Sequence, residues 1–132
     1  EIEFSGAELR PVAEAIAALF GGTVEARSKA EYGVVGGRLG DFKIEIDSSF
    51  IADGKYHGYL RALGLDPASS EWGKKIDDWI TRSAEGVVPA EVVGPPIPID
   101  RLEQMEELRE TLRSLKALGT TAHFYSAYGM QF

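Results

Sequence analysis

The sequence predicts an α+β fold, a mostly antiparallel sheet with helices on one face. Three observations predict it. Several strand-like segments follow one another directly instead of alternating strictly with helices. The helical stripes come singly. The strands carry apolar side chains in one phase and carboxylates in the other, as a sheet with one covered face requires. The order along the chain is β-α-β-β-β-(α)-α-β-α-β.

Glu1–Phe4 alternates acidic and apolar residues, as a half-buried strand does, and Ser5-Gly6 breaks it. A helix is predicted from Glu8 to Phe20. Pro11 suits its first turn, Val12, Ile16, Leu19 and Phe20 form one apolar stripe, and Gly21-Gly22 ends it. Thr23–Ala26 is a short strand. Glu31–Val35 and Asp41–Asp47 make a hairpin around an irregular, glycine-supported loop, Gly36-Gly37-Arg38-Leu39-Gly40. In the second arm Phe42, Ile44 and Ile46 point one way, and Lys43, Glu45 and Asp47 the other.

The stretch from Ser48 to Ser70 is irregular, with a short helix over Tyr59–Leu65. A helix from Ser70, its N-cap, to Ala84 buries Trp72, Ile76, Trp79 and Ile80. Val87–Val93 is a strand that contains Glu91 and is stopped by Gly94-Pro95-Pro96-Ile97-Pro98. The clearest helical signal follows. Asp100 and Glu103 spell a capping box, Leu102, Met105, Leu108, Leu112 and Leu115 recur at helical spacing, and Gly119 marks the stop. Thr121–Phe132 is a final strand, with Phe124, Tyr128, Met130 and Phe132 on one face and His123, Tyr125 and Gln131 on the other.

At 132 residues the chain is read as a single domain, residues 1–132. It has no cysteine, which excludes a disulfide framework, a zinc finger, an iron–sulfur site and a thiol nucleophile. Its 21 acidic residues outnumber 14 basic ones for a net charge of −7, the wrong sign for coating a nucleic acid. No apolar run approaches the roughly 18 residues of a membrane span. Both ends read as strand and no initiator Met is present, so the chain is read as part of a longer protein.

The carboxylates are the residues that could carry chemistry. Glu1 and Glu3, Glu45 and Asp47, and Glu91 all lie opposite the apolar phase of their strands. If those strands share a sheet, one face gathers up to five like charges, which repel unless a cation joins them. Oxygen-only ligands suit Mg²⁺ or Mn²⁺. The same pattern also describes an ordinary solvated sheet face, so a non-catalytic interaction module stays open. A hydrolase with paired carboxylates would need one acid in an apolar pocket, which the sequence does not indicate. Gly33–Gly40 lacks the Lys-Ser/Thr and the following helix of a phosphate loop, although Arg38 could reach a phosphate from it. Asp47-Ser48-Ser49 closes a strand at the edge of an irregular segment, a common place for site residues. His57 and His123 make no close pair.

Taken together the residues resemble the amidoligase family, carboxylate–amine ligases similar to glutamine synthetase and glutamate–cysteine ligase. The matching stretches are Glu1–Phe4, Arg38–Ser48, Val88–Pro98, Asp100-Arg101-Leu102 and Tyr128–Phe132, in the family's order. The Glu91-Val92-Val93-Gly94-Pro95-Pro96 segment is the most specific. The resemblance implies a glutamine synthetase-like catalytic sheet that uses ATP and Mg²⁺ or Mn²⁺ to phosphorylate a small carboxylate. An amine or ammonia then displaces phosphate. It implies metal ligands at Glu1, Glu3, Glu91 and Gln131, the last standing where such enzymes often present His. It implies substrate contacts from Arg38, Glu45, Asp47 and Ser48. A cytoplasmic ligase that binds neither nucleic acid nor membrane is the corresponding expectation. The chain is expected to be the N-terminal portion of the catalytic domain and inert by itself.

Overall fold

The computed structural model of the protein describes residues 1–47 and 89–117. These form strand β1 (Ile2–Phe4), helix α1 (Leu9–Phe20), strands β2 (Thr23–Ala26), β3 (Glu31–Gly37), β4 (Gly40–Ile46) and β5 (Ala90–Val93), and helix α2 (Glu103–Ser114). The five strands make one sheet in the order β1-β5-β4-β3-β2, and every pairing is antiparallel. The architecture is α+β, as the alternation of the strands predicts. Among the described residues no helix is long and apolar enough to cross a membrane. The segments predicted between Ser48 and Val88, and the final strand, lie outside the described residues.

Helix α1 exists because its apolar residues fall on one side. Leu9, Val12, Ala13, Ile16 and Phe20 are buried, and the chain leaves the helix at Gly21 with φ +77°. This face packs on β2, β3 and β4 and meets α2. Val34, Phe42, Ile44, Ile46 and Val92 supply the sheet's side of the core. In α2, Met105, Leu108 and Leu112 are buried, at the spacing that the sequence shows.

Three local features differ from expectation. The hairpin loop is tighter than an irregular five-residue segment. β3 runs on to Gly37 and β4 starts at Gly40, so the turn is Arg38-Leu39. A register shift between Val34 and Gly37 takes up the extra residues, and the Gly36 N–H donates to Asp41 Oδ1 at 2.8 Å. Gly36 sits at φ +77°, a conformation open to glycine at no steric cost.

The capping box does not form. Asp100 lies in a 3-10 turn, Ile99–Arg101, and no side chain caps that turn or α2. Pro98 fixes the backbone in an extended entry, so the chain tightens through the turn before the α-helix begins. The helix also ends before Gly119. The Ala117 N–H donates to the Leu112 carbonyl at 3.0 Å and the Lys116 N–H to that of Arg113 at 3.0 Å, with Lys116 at φ +67°. This is a Schellman closure in which lysine takes the left-handed position usually given to glycine.

The Gly94-Pro95-Pro96 segment is folded back on the helix-covered side. A Cβ on Gly94 would stand 2.8 Å from Phe42 Cε1, so only glycine allows this approach. Beside it a cleft of about 370 Å³ opens between Ile2, Phe42, Val92, Pro95, Met105 and Leu108, with Glu1 at its border. The lining is apolar apart from Glu1.

Candidate functional site

Strand pairing turns carboxylates scattered along the chain into a row. Glu3 of β1 stands opposite Glu91 of β5, Glu91 opposite Glu45 of β4, and Glu45 opposite Glu31 of β3. Side chains alternate along a strand, so all four leave the face opposite buried Phe4, Ile44 and Val92. Neighbouring strands lie about 4.8 Å apart. Like charges facing each other across strands destabilise a sheet unless compensated.

Compensation is uneven. Arg27 Nη1 donates to Glu31 Oε1 at 3.1 Å and its Nε approaches Glu25 at 3.9 Å. Lys43 Nζ lies 2.5 Å from Glu45 Oε1, and this hydrogen bond, reinforced by Glu45, Glu31 and Glu91, raises the lysine pKa. The strain collects at Glu91. Burial, then the charges of Asp47, Glu45 and Glu1, push its pKa up to about 7 against a smaller pull from Lys43.

That shift has a sign. The folded state keeps a proton on Glu91 that the unfolded chain releases near pH 4.5. The contribution of Glu91 to stability is therefore greatest below about pH 4.5, falls as pH rises to about 7, and is absent above. Full linkage would be about 3 kcal/mol, but Glu91 is only half-buried and solvent screening reduces the effect to about 1 kcal/mol. Glu91→Gln should remove this slope and stabilise the protein by that amount at about pH 8. Urea midpoints at acid and alkaline pH check it. A variant weaker than wild type at high pH would make Glu91 a structural ion-pair partner instead.

The residues expected from the sequence divide. Glu3, Glu45 and Glu91 meet in the row. Glu1 precedes β1 in the phase of Glu3, and its charge is felt at Glu91. Asp47 follows β4, donates its N–H to the Pro89 carbonyl at 3.1 Å, and also acts on Glu91. Arg38 stands apart. At the hairpin turn its guanidinium lies 5.4 Å from the centroid of the Phe20 ring, on the helix side of the sheet. Ser48 and Gln131 lie outside the described residues. Glu31 and Arg27 belong to the face and were not expected there. Alternation in Glu31–Val35 places Glu31 on a polar phase, but only register aligns it with Glu45.

The donors suit a hard divalent cation in kind, being carboxylate oxygens throughout, and strand pairing sets them on adjacent strands. Among the described residues no three His, Cys, Asp or Glu side chains gather around one point.

A search of curated proteins and one of solved structures gave no match. The sequence model of the family described as "Putative amidoligase enzyme" matches residues 1–132, the whole chain. Strands, glycine–proline segment and carboxylate row all fall within that match: the chain belongs to the amidoligase family of ligases.

Proposed function

We propose that the carboxylate face belongs to an ATP- and Mg²⁺-dependent carboxylate–amine ligase with a glutamine synthetase-like sheet, working in the cytoplasm. The observation that carries this reading is the Glu3–Glu91–Glu45 alignment, with Glu91 pushed up to about 7 by burial first and then by the charges of Asp47, Glu45 and Glu1. A face in that state favours added positive charge. Glu3 and Glu91, with Glu1 beside them, would hold Mg²⁺ or Mn²⁺, and Gln131 would join them.

The reaction explains why such a face is needed. A substrate carboxylate oxygen attacks the γ-phosphorus of ATP, and ADP leaves with the electron pair of the broken P–O bond. The amine nitrogen then attacks the acyl carbon, phosphate departs, and the nitrogen loses a proton to give the amide. The first step brings two anions together. A bound divalent ion supplies charge neutralisation and polarises the transferring phosphoryl group. Asp47, at the end of β4, would face the substrate, and Ser48 follows it in sequence.

Hydroxylamine, a strong nucleophile, reports the acyl phosphate as a hydroxamate. The protein as expressed from its gene, given ATP, Mg²⁺, hydroxylamine and a panel of small carboxylates, should form ADP and hydroxamate in equal amounts. Chelation should stop both. ADP release that ignores the carboxylate, or none with any acceptor, would favour the interaction module.

A further inference from the structure

Next to the glutamate row on the same face stand two cations, each held by carboxylates. There Lys43 of β4 stands opposite Gly33 of β3, and Gly33 opposite Glu25 of β2. Gly33 has no side chain, and the Arg27 guanidinium occupies the vacant position. Its Nη2 lies 2.9 Å, and its Cζ and Nε 3.0 Å, from where a Cβ on Gly33 would be. Two cations therefore sit side by side on the carboxylate face. Both are accessible, with side chains 40% exposed for Lys43 and 42% for Arg27. Glu45 holds one, and Glu31 with Glu25 holds the other. Both cations thus lie on one side of the face, among Glu45, Glu31 and Glu25, while Glu1, Glu3 and Glu91 lie towards β1.

The geometry points to Lys43 and Arg27, seated together across Gly33, as the residues that bind the polyphosphate of a nucleoside triphosphate. The inference rests on the ATP reading above and names its phosphate contacts. A polyphosphate shared with an ion at Glu3 and Glu91 would lie along the row, and its free oxygens would meet an ammonium and a guanidinium. Those are the groups that pair most strongly with phosphate. Glu45 and Glu31 keep both side chains standing over the sheet, so little ordering is left for binding. Arg38 could reach a phosphate from its loop; Lys43 and the Arg27 guanidinium stand on the carboxylate face itself.

Two variants separate this role from simple charge compensation. Lys43→Met removes a cation, so it should tighten binding of Mn²⁺ alone about threefold and weaken MgATP about tenfold. Gly33→Ala removes no charge. Its Cβ displaces the flexible end of Arg27, so Mn²⁺ affinity should stay within about twofold while MgATP weakens about fivefold. Calorimetry with Mn²⁺ alone and with MgATP reads both, and circular dichroism confirms the fold. MgATP bound equally well by wild type and both variants would overturn this inference and leave the ATP reading standing. No MgATP binding to wild type would overturn the ATP reading itself.

Discussion

Phe42→Ala is expected to cost about 3–5 kcal/mol, the range for losing a buried phenyl ring. The ring is 2% exposed and joins three parts of the fold. It stacks on Phe20 of α1 with centroids 5.5 Å apart and planes 12° from parallel. Such a pair adds about 0.5–1.5 kcal/mol to the burial of area. On its edge rests Gly94, so the same ring seats the Gly94-Pro95-Pro96 segment that leads into α2. Against a total stability of about 5–15 kcal/mol for a domain, the loss would leave little margin. Equilibrium unfolding in urea measures it. A loss under about 1 kcal/mol would mean that the ring does not pin the segment to the sheet.

Glu3→Ala is expected to have the larger effect on function, lowering amide-forming turnover by at least about a hundredfold. Glu3 and Glu91 are the facing pair at the end of the row away from Lys43 and Arg27, so removing Glu3 takes away one of the two carboxylates proposed there as metal ligands. Stability should be unchanged or slightly raised, since a like charge across the ladder is lost. A variant that keeps its turnover would show that the chemistry lies elsewhere. One that unfolds would show that Glu3 serves packing.

Local order was legible in the sequence wherever a short window determines it. The alternation in Asp41–Asp47 gave β4 and its two faces, and the leucine spacing gave the buried side of α2. The ends of elements were less legible. Asp100 and Glu103 have the spelling of a cap, but Pro98 imposes the entry to the helix. Lys116 closes α2 three residues before the expected glycine. The hairpin turn is tighter than its glycines suggest because a register shift absorbs Val35 and Gly36.

The site divides in the same way. Which residues are acidic, and in which phase, can be read locally. That Glu3, Glu91, Glu45 and Glu31 share one ladder step depends on β5 inserting between β1 and β4, a long-range pairing that no window contains. The berth of Arg27 over Gly33 depends on that register and on a missing side chain. Arg38 lies over the face of Phe20, a contact between the hairpin turn and α1 that no short window contains.

Calorimetric titration with Mn²⁺ at about pH 8, where Glu91 is ionised, puts the central question to the protein in the simplest form. Wild type should show one saturable event that Glu3→Ala abolishes and Glu91→Gln weakens at least about tenfold. Heats that do not saturate, or a curve identical in all three proteins, would contradict the assignment of this face as the seat of a divalent ion.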